Sequence, residues 1–426
     1  MLNSVSINAV NASKWRGPFV HPLYKDYAFS CIPGTIAKLL TGQGEHPLAA
    51  DAVGGAFSIY DGVILLFIDG FGWEFFEAYR SKYPLLNQLY EKGVVSKISS
   101  QFPSTTAAHV TTLHTGQEVG QTGIYEWFYY EPLVDRMIAP LLYSYAGEHE
   151  AGTLLKKGYL PSSIFPFETL PEKLSKKGVE TLAFQQEAIA HSPYSKTLLK
   201  GAKIIPFTTF SQALDAIVTH VKQPLKVPTY FYAYFGEIDS AGHRHGIGSP
   251  QFDQAIDTCW TLIEKHLWKH LKNSPNNIAL LITADHGMVP VQPKETVLLN
   301  LLLPELSSRF KKNKEGIPLV PAGSCRDFFL HIQEESLLET RDLVRRQLHG
   351  IAEVVLVDEL IQAGFFGAIA ASHRLRERIG NLLVLPYKEH SVFWHFEKHH
   401  FEQHFYAAHG GLTPEEMHSI FLFATP

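Results

Sequence analysis

Three stretches of the chain share one design, a short unbroken apolar run rich in β-branched or aromatic residues whose last positions turn acidic. They are GVILLFIDG (62–70), TYFYAYFGEID (229–239) and IALLITADHG (278–287). Continuous rather than alternating apolarity predicts strands buried on both faces, as in a parallel sheet covered by helices. Between them lie helical patterns. YPLLNQLYEKG has Pro84 suited to a first turn and Gly93 suited to a stop, and SPQFDQAIDTCWTLIEKHLWKHL carries apolar residues at helical spacing. Strand and helix alternate, which predicts an α/β fold with a mostly parallel central sheet and helices on both faces. From about 296 to 390 the texture changes. Charged patches such as SSRFKKNKEG, the helical LLETRDLVRRQLHG and the strand-like AEVVLVDEL are bracketed by the Pro and Gly punctuation of IPLVPAGS and GNLLVLPY. This reads as a smaller cap domain, 296–390, inserted into a core formed by 1–295 and 391–426.

At 426 residues and 45% hydrophobic content the chain is long enough for a large core. Its formal charge of -5 comes with no concentrated basic stripe, so a nucleic-acid duplex is not expected as a ligand. No stretch reaches the apolar length that spans a bilayer, and the start, MLNSVSINAVNASKWRGPFVHP, lacks a basic region followed by an apolar segment. The expectation is a cytoplasmic protein without a membrane partner. Cys31, Cys259 and Cys325 are far apart and outside CxxC spacing, as suits buried thiols in a reducing compartment. None lies in the C/S-x-P-x-R run that a sulfatase-type nucleophile needs.

Ligands of such sheets sit beyond the carboxyl ends of the strands, and Asp69, Asp239 and Asp285 all fall there. One acid at a strand end is ordinarily an Asx turn or a helix cap. Three in one chain, two of them accompanied by histidine, point to a site: Asp239 and His243 in EIDSAGHRHG, Asp285 and His286 in TADHGM, and later His409 in AAHGGLTPEEM. Carboxylate oxygen with imidazole nitrogen suits Zn²⁺, with Mn²⁺ or related divalent ions as competitors. Three carboxylates at one sheet edge repel one another, and a pair of divalent ions removes that conflict. The hydroxyl-rich QFPSTTAAHVTTLHTG (101–116) follows the Asp69 strand and leads into a helix running to Gly116. Its hydroxyls suit helix caps. One of them bound to a metal would also become a nucleophile, beside first-turn amides that favour a phosphate oxygen.

In motif order the chain resembles the type I phosphodiesterase/nucleotide pyrophosphatase family of the alkaline phosphatase superfamily. The matching elements are Asp in LLFIDGFG, the Thr loop FPSTT, DxxxH in DSAGH, the ADHGM pair and a late HGG. They cover most of 60–295 and the last 20 or so residues, and the likeness is weak across the cap. The resemblance implies an alkaline-phosphatase-like fold. It also implies a two-metal hydrolase of phosphodiesters or nucleotide phosphoanhydrides that works through a threonyl-phosphate intermediate. Its substrate would be a small phosphate ester or anhydride, nucleotides included. Family spacing, ten positions to the Gly of the TG pair, selects Thr106 as nucleophile and leaves Ser104 and Thr105 as loop or cap hydroxyls. The family's metal assignment implies one ion on Asp69, Thr106, Asp285 and His286, and a second on Asp239, His243 and His409.

There are departures. Three positions after the nucleophile the family's nucleotide pyrophosphatases carry an Asn that donates to phosphate, whereas this chain has His109, the expected substrate contact here. GIYEWFYYEP supplies Tyr125 and Trp127, which could stack on a base, although aromatic runs more often form core. His245 is a candidate for a supporting role behind the metal ligands. His395 and His399, in HFEKHHFEQHF and outside any HExxH, read as a solvated face. Cys325 and Arg326 stay outside the catalytic set. The same scaffold is shared by phosphonoacetate hydrolases, phosphomutases and phosphomonoesterases, which are rival readings. A metal-stabilised binding protein without turnover is a rival of another class.

Overall fold

A computed structural model describes residues 1–148, 150–396, 401 and 404–426. Eleven of its strands matter for the site. They are β1 (Gly62–Ile68), β2 (Val94–Ser99), β3 (Glu180–Gln186), β4 (Lys203–Phe207), β5 (Thr229–Phe235), β6 (Ile278–Thr283), β7 (Ala322–Gly323), β8 (Phe328–Leu330), β9 (Ala352–Leu356), β10 (Leu382–Pro386) and β11 (His418–Ala424). The main sheet runs β2-β11-β6-β1-β5-β3-β4, and all its pairings are parallel except those of β11 with β2 and with β6. The three acid-ending runs are its central strands, β1 between β5 and β6. All seven residues of β1 are buried, which is why the run is apolar without alternation.

Side chains alternate across β1. Ile64, Leu66 and Ile68 join one apolar cluster with Phe252, Ile256 and Trp260, while Val63, Leu65 and Phe67 join another with Phe29, Leu39 and Leu113. The helical patterns are observed as α1 (Pro84–Lys92), closed at Gly93, and as α4 (Pro250–Leu262), which continues through a π-helical segment Ile263–Trp268 to Lys269–Leu271. Two other helices, α2 (Thr106–Thr115) and α3 (Glu237–His245), start at the carboxyl end of the sheet. The register pairs Ile68 with Phe235 and Phe67 with Thr283, so the three acidic turns leave the sheet at one level.

The second sheet, β7-β8-β10-β9, is antiparallel and forms entirely within the 296–390 segment. One of its faces packs under the helix Leu337–Gln347 through Leu330, Val354 and Val384 with Val344 and Leu348. The other, through Phe329, Val355 and Leu383, shares a cluster with Phe102, Tyr125 and Tyr129. The 296–390 segment is thus joined to the hydroxyl-rich loop by common core. Among the described residues no helix is long and apolar enough to cross a membrane.

Candidate metal centre and nucleophile

The two threonines of FPSTT divide the labour proposed for one. Thr105 is the N-cap of α2: its Oγ1 accepts from Ala108 N at 3.5 Å and donates to Tyr125 O at 3.0 Å. Thr106, the first helical residue, leaves its hydroxyl to the site, where Oγ1 lies 3.3 and 3.4 Å from the Asp69 oxygens and 3.4 Å from His286 Nε2. At the other end Gly116 closes the helix at φ 70. Asp69 follows β1 directly, is 2% exposed, and also accepts from the Tyr234 hydroxyl. Asp285, two residues past β6, accepts at Oδ1 from Gly70 N at 3.1 Å and from His286 N at 3.0 Å. Gly70 has φ 73, and a Cβ there would stand 3.1 Å from the Asp239 Cβ, so the turn needs a glycine.

Asp239 and His243 sit one turn apart on α3, and His409 is presented by a two-residue ladder of Ala407–Ala408 with Val289–Pro290. Each of the three imidazoles donates Nδ1–H to a backbone carbonyl: His286 to Gly287 at 3.1 Å, His243 to Ala407 at 2.7 Å and His409 to Ser104 at 2.9 Å. Each therefore turns its Nε2 inward. Those nitrogens face carboxylate oxygens, His286 at 3.2 Å from Asp285 and 3.5 Å from Asp69, His243 at 3.3 Å and His409 at 3.6 Å from Asp239. Asp239 Oδ1 and Asp285 Oδ2 are buried with no hydrogen-bond partner among the described residues. Burial, and then the neighbouring Asp285 and Asp239, push the Asp69 carboxyl well up, while burial drives the His286 and His409 imidazoles down. Such a donor set fits divalent cations. Among the described residues two triplets are compact enough to hold one, Asp69/Asp285/His286 and Asp239/His286/His409, with His243 joined to the second through Asp239.

A profile of the type I phosphodiesterase/nucleotide pyrophosphatase family matches residues 63–411. The chain belongs to this family. Among solved structures, murine ectonucleotide pyrophosphatase/phosphodiesterase 5, in an inactive variant bound to AMP, aligns with a TM-score of 0.63 at 18% identity, over 85% of this chain and 87% of that one. Its human counterpart gives 0.59 at 17% identity, over 85% and 87%. Phosphonoacetate hydrolase from Sinorhizobium meliloti 1021, in complex with phosphonoacetate, gives 0.57 at 14% identity, over 84% and 89%. No curated protein matches. The fold is alkaline-phosphatase-like, and the family to which the chain belongs is one of phosphodiesterase and pyrophosphatase enzymes.

Not every expected residue of the phosphodiesterase-family chain reaches the site. His109 does not: its ring is fully buried against Phe29, with Nδ1 donating to Thr105 O at 2.7 Å and Nε2 accepting from Gln101 N at 3.0 Å. Both nitrogens clamp the loop that carries Thr106, and neither is left for phosphate. Tyr125 is core, packed on Tyr129 and Phe329, whereas Trp127 is 40% exposed and lines the cavity in front of Thr106, whose volume is about 930 Å³. His245 is exposed on α3 and does not line that cavity. His395 is held by its backbone to Asn300, and His399 lies outside the described residues.

Arg326 and Glu416 form a fully buried two-armed pair at 2.9 and 3.0 Å, and Glu416 also accepts from Gly411 N and the Thr413 hydroxyl. Ser104 accepts from Gly410 N at 3.1 Å and donates to Gly411 O at 2.9 Å. Together they tie the HGG loop, and with it His409, to the loop that leads into Thr106. Sequence reasoning missed the Arg326–Glu416 clamp and the Tyr234 hydroxyl. Only the latter had a signal, its period-2 placement in TYFYAYF directly before the acidic turn.

Proposed function

We propose that the chain hydrolyses phosphodiester or nucleotide phosphoanhydride bonds with Thr106 as nucleophile, through a threonyl-phosphate intermediate. The observation that carries this reading is the Thr106 hydroxyl, 3.3 Å from a buried carboxylate and 3.4 Å from an imidazole nitrogen, at the first turn of a helix. The solved inactive form of the murine relative, a threonine-to-alanine variant bound to AMP, supports it. Asp69, Thr106, Asp285 and His286 would hold one divalent ion, and Asp239, His243 and His409 a second, with Zn²⁺ the first candidate and Mn²⁺ its competitor. Bound there, such ions lower the pKa of an alcohol and offset charge on phosphoryl oxygens.

The chain's own groups do the rest. First-turn amides of Thr106 and Ala107 have no intrahelical partner and favour an anionic oxygen. The Thr106 oxygen, its proton lost to solvent, forms a bond to phosphorus. The bond to the leaving oxygen breaks opposite it, and that oxygen takes up a proton. Water then enters from the vacated side, displaces the Thr106 oxygen and returns a proton to it.

Thr106→Ala should abolish turnover of bis(p-nitrophenyl) phosphate while leaving zinc binding largely intact, since Asp69, Asp285 and His286 remain. Thr105→Ala should cost about 1 kcal/mol of stability through the lost cap and keep turnover. Normal turnover by the first variant, with loss in the second, would move the nucleophile to Thr105. Rates on a diester, a monoester and a phosphonate rank this reading against phosphonate hydrolase, phosphomutase and phosphomonoesterase chemistry.

A further inference from the structure

The cavity in front of Thr106 has an unusual wall. Trp127, Ile189 and Phe405 are large apolar residues left 40%, 39% and 43% exposed, and all three line it, together with Leu141 and Leu142. Scattered exposed apolar side chains need no account, but a group of them around one concavity does. The apolar wall reaches the reacting centre itself, since the Phe405 and His243 rings lie 4.4 Å apart. Charge points the same way. No Lys or Arg lines the cavity among the described residues, and the exposed Glu148 and Glu237 do. A substrate extending a second or third phosphate into this space would meet carboxylates without cations.

We infer that the group esterified to the phosphate is uncharged and apolar, an alkyl or aryl chain lying along Trp127, Ile189 and Phe405, and that substrates carrying further phosphates on that side are disfavoured. This rests on the phosphodiesterase reading of the same site and narrows it.

The test is calorimetric titration of the zinc-loaded Thr106→Ala protein with the methyl, butyl and octyl esters of p-nitrophenyl phosphate and with ATP. Affinity should rise about two- to fourfold for each methylene that leaves water. The octyl ester should bind at least about tenfold tighter than ATP, and Ile189→Lys in the same background should flatten the series. An affinity independent of chain length, or tighter binding of ATP, overturns the inference. Turnover of the methyl ester by the unmodified protein judges the underlying reading separately: its absence sinks the phosphodiesterase assignment, while the affinity series still decides what the wall takes.

Discussion

His114 lies two turns beyond Thr106 on α2, fully buried, its ring edge-on to Tyr232 at 4.7 Å. Neither ring nitrogen has a hydrogen-bond partner among the described residues, and burial pushes its pKa down to about 3. The unfolded chain takes up this proton below about 6.5, whereas the folded chain refuses it until about 3. Its contribution to stability is therefore intact above 6.5 and is lost as pH falls below that value. Between pH 7.5 and 5.5 the loss amounts to about 1.4 kcal/mol. His114→Leu should remove it. Urea denaturation at the two pH values should then show an acid destabilisation smaller by that amount than in the unmodified protein, because every other titrating group contributes equally to both. An identical difference would mean that His114 protonates within the fold, reached by water from the adjoining cavity.

The β7–β8 turn of the second sheet reaches toward the loop after His409 with Arg326. Its guanidinium is shared among Glu416 and the carbonyls of Tyr387 and His390, and Glu416 in turn holds the backbone after His409. Gly410 between them has φ 123, and a Cβ there would stand 2.6 Å from Asp327 Oδ1, so this turn too admits only glycine. Breaking one side of a buried pair leaves an uncompensated charge, so Glu416→Gln should cost about 3–5 kcal/mol in urea denaturation and weaken zinc retention. A loss below about 1 kcal/mol would mean that the two carbonyls alone satisfy Arg326. This clamp also marks where sequence reading stops, because 326 and 416 are ninety positions apart and nothing in either neighbourhood announces the other. The elements carrying the candidate ligands were legible for a physical reason. Strands buried on both faces write unbroken apolar runs, and their acidic ends sit where ligands gather. The edge strand β4 was not, since Lys203 and Pro206 give it the texture of a loop. Nor was β11, which enters antiparallel between β2 and β6. Thr106 was set apart from Thr105 only by the family's spacing to Gly116, and the structure puts the Thr105 hydroxyl in the helix cap and the Thr106 hydroxyl beside Asp69. The inward turn of His109 could not be foreseen, because which face of the short helix α2 is covered is set by tertiary packing, here against Phe29.

Across the whole molecule the candidate ligands come from far-separated parts of the chain. Asp69 follows β1, Asp239 and His243 lie on α3, Asp285 and His286 follow β6, and His409 stands near the end. The unfolded chain scatters them, so an ion held by this set binds the folded state alone and stabilises it by mass action. The site's own groups are also poorly satisfied, with two carboxylate oxygens unpaired among the described residues and three imidazole Nε2 atoms turned toward carboxylates. Complete chelation should therefore lower the melting temperature. At free zinc near 1,000 times its dissociation constant the stabilisation removed is about 4 kcal/mol. Differential scanning calorimetry on zinc-loaded and chelator-treated protein measures it, and zinc restored in excess of the chelator should recover the original transition. A transition unmoved by complete metal removal would mean that the folded chain gains nothing from the ions, and the six side chains would then need another account for meeting where they do.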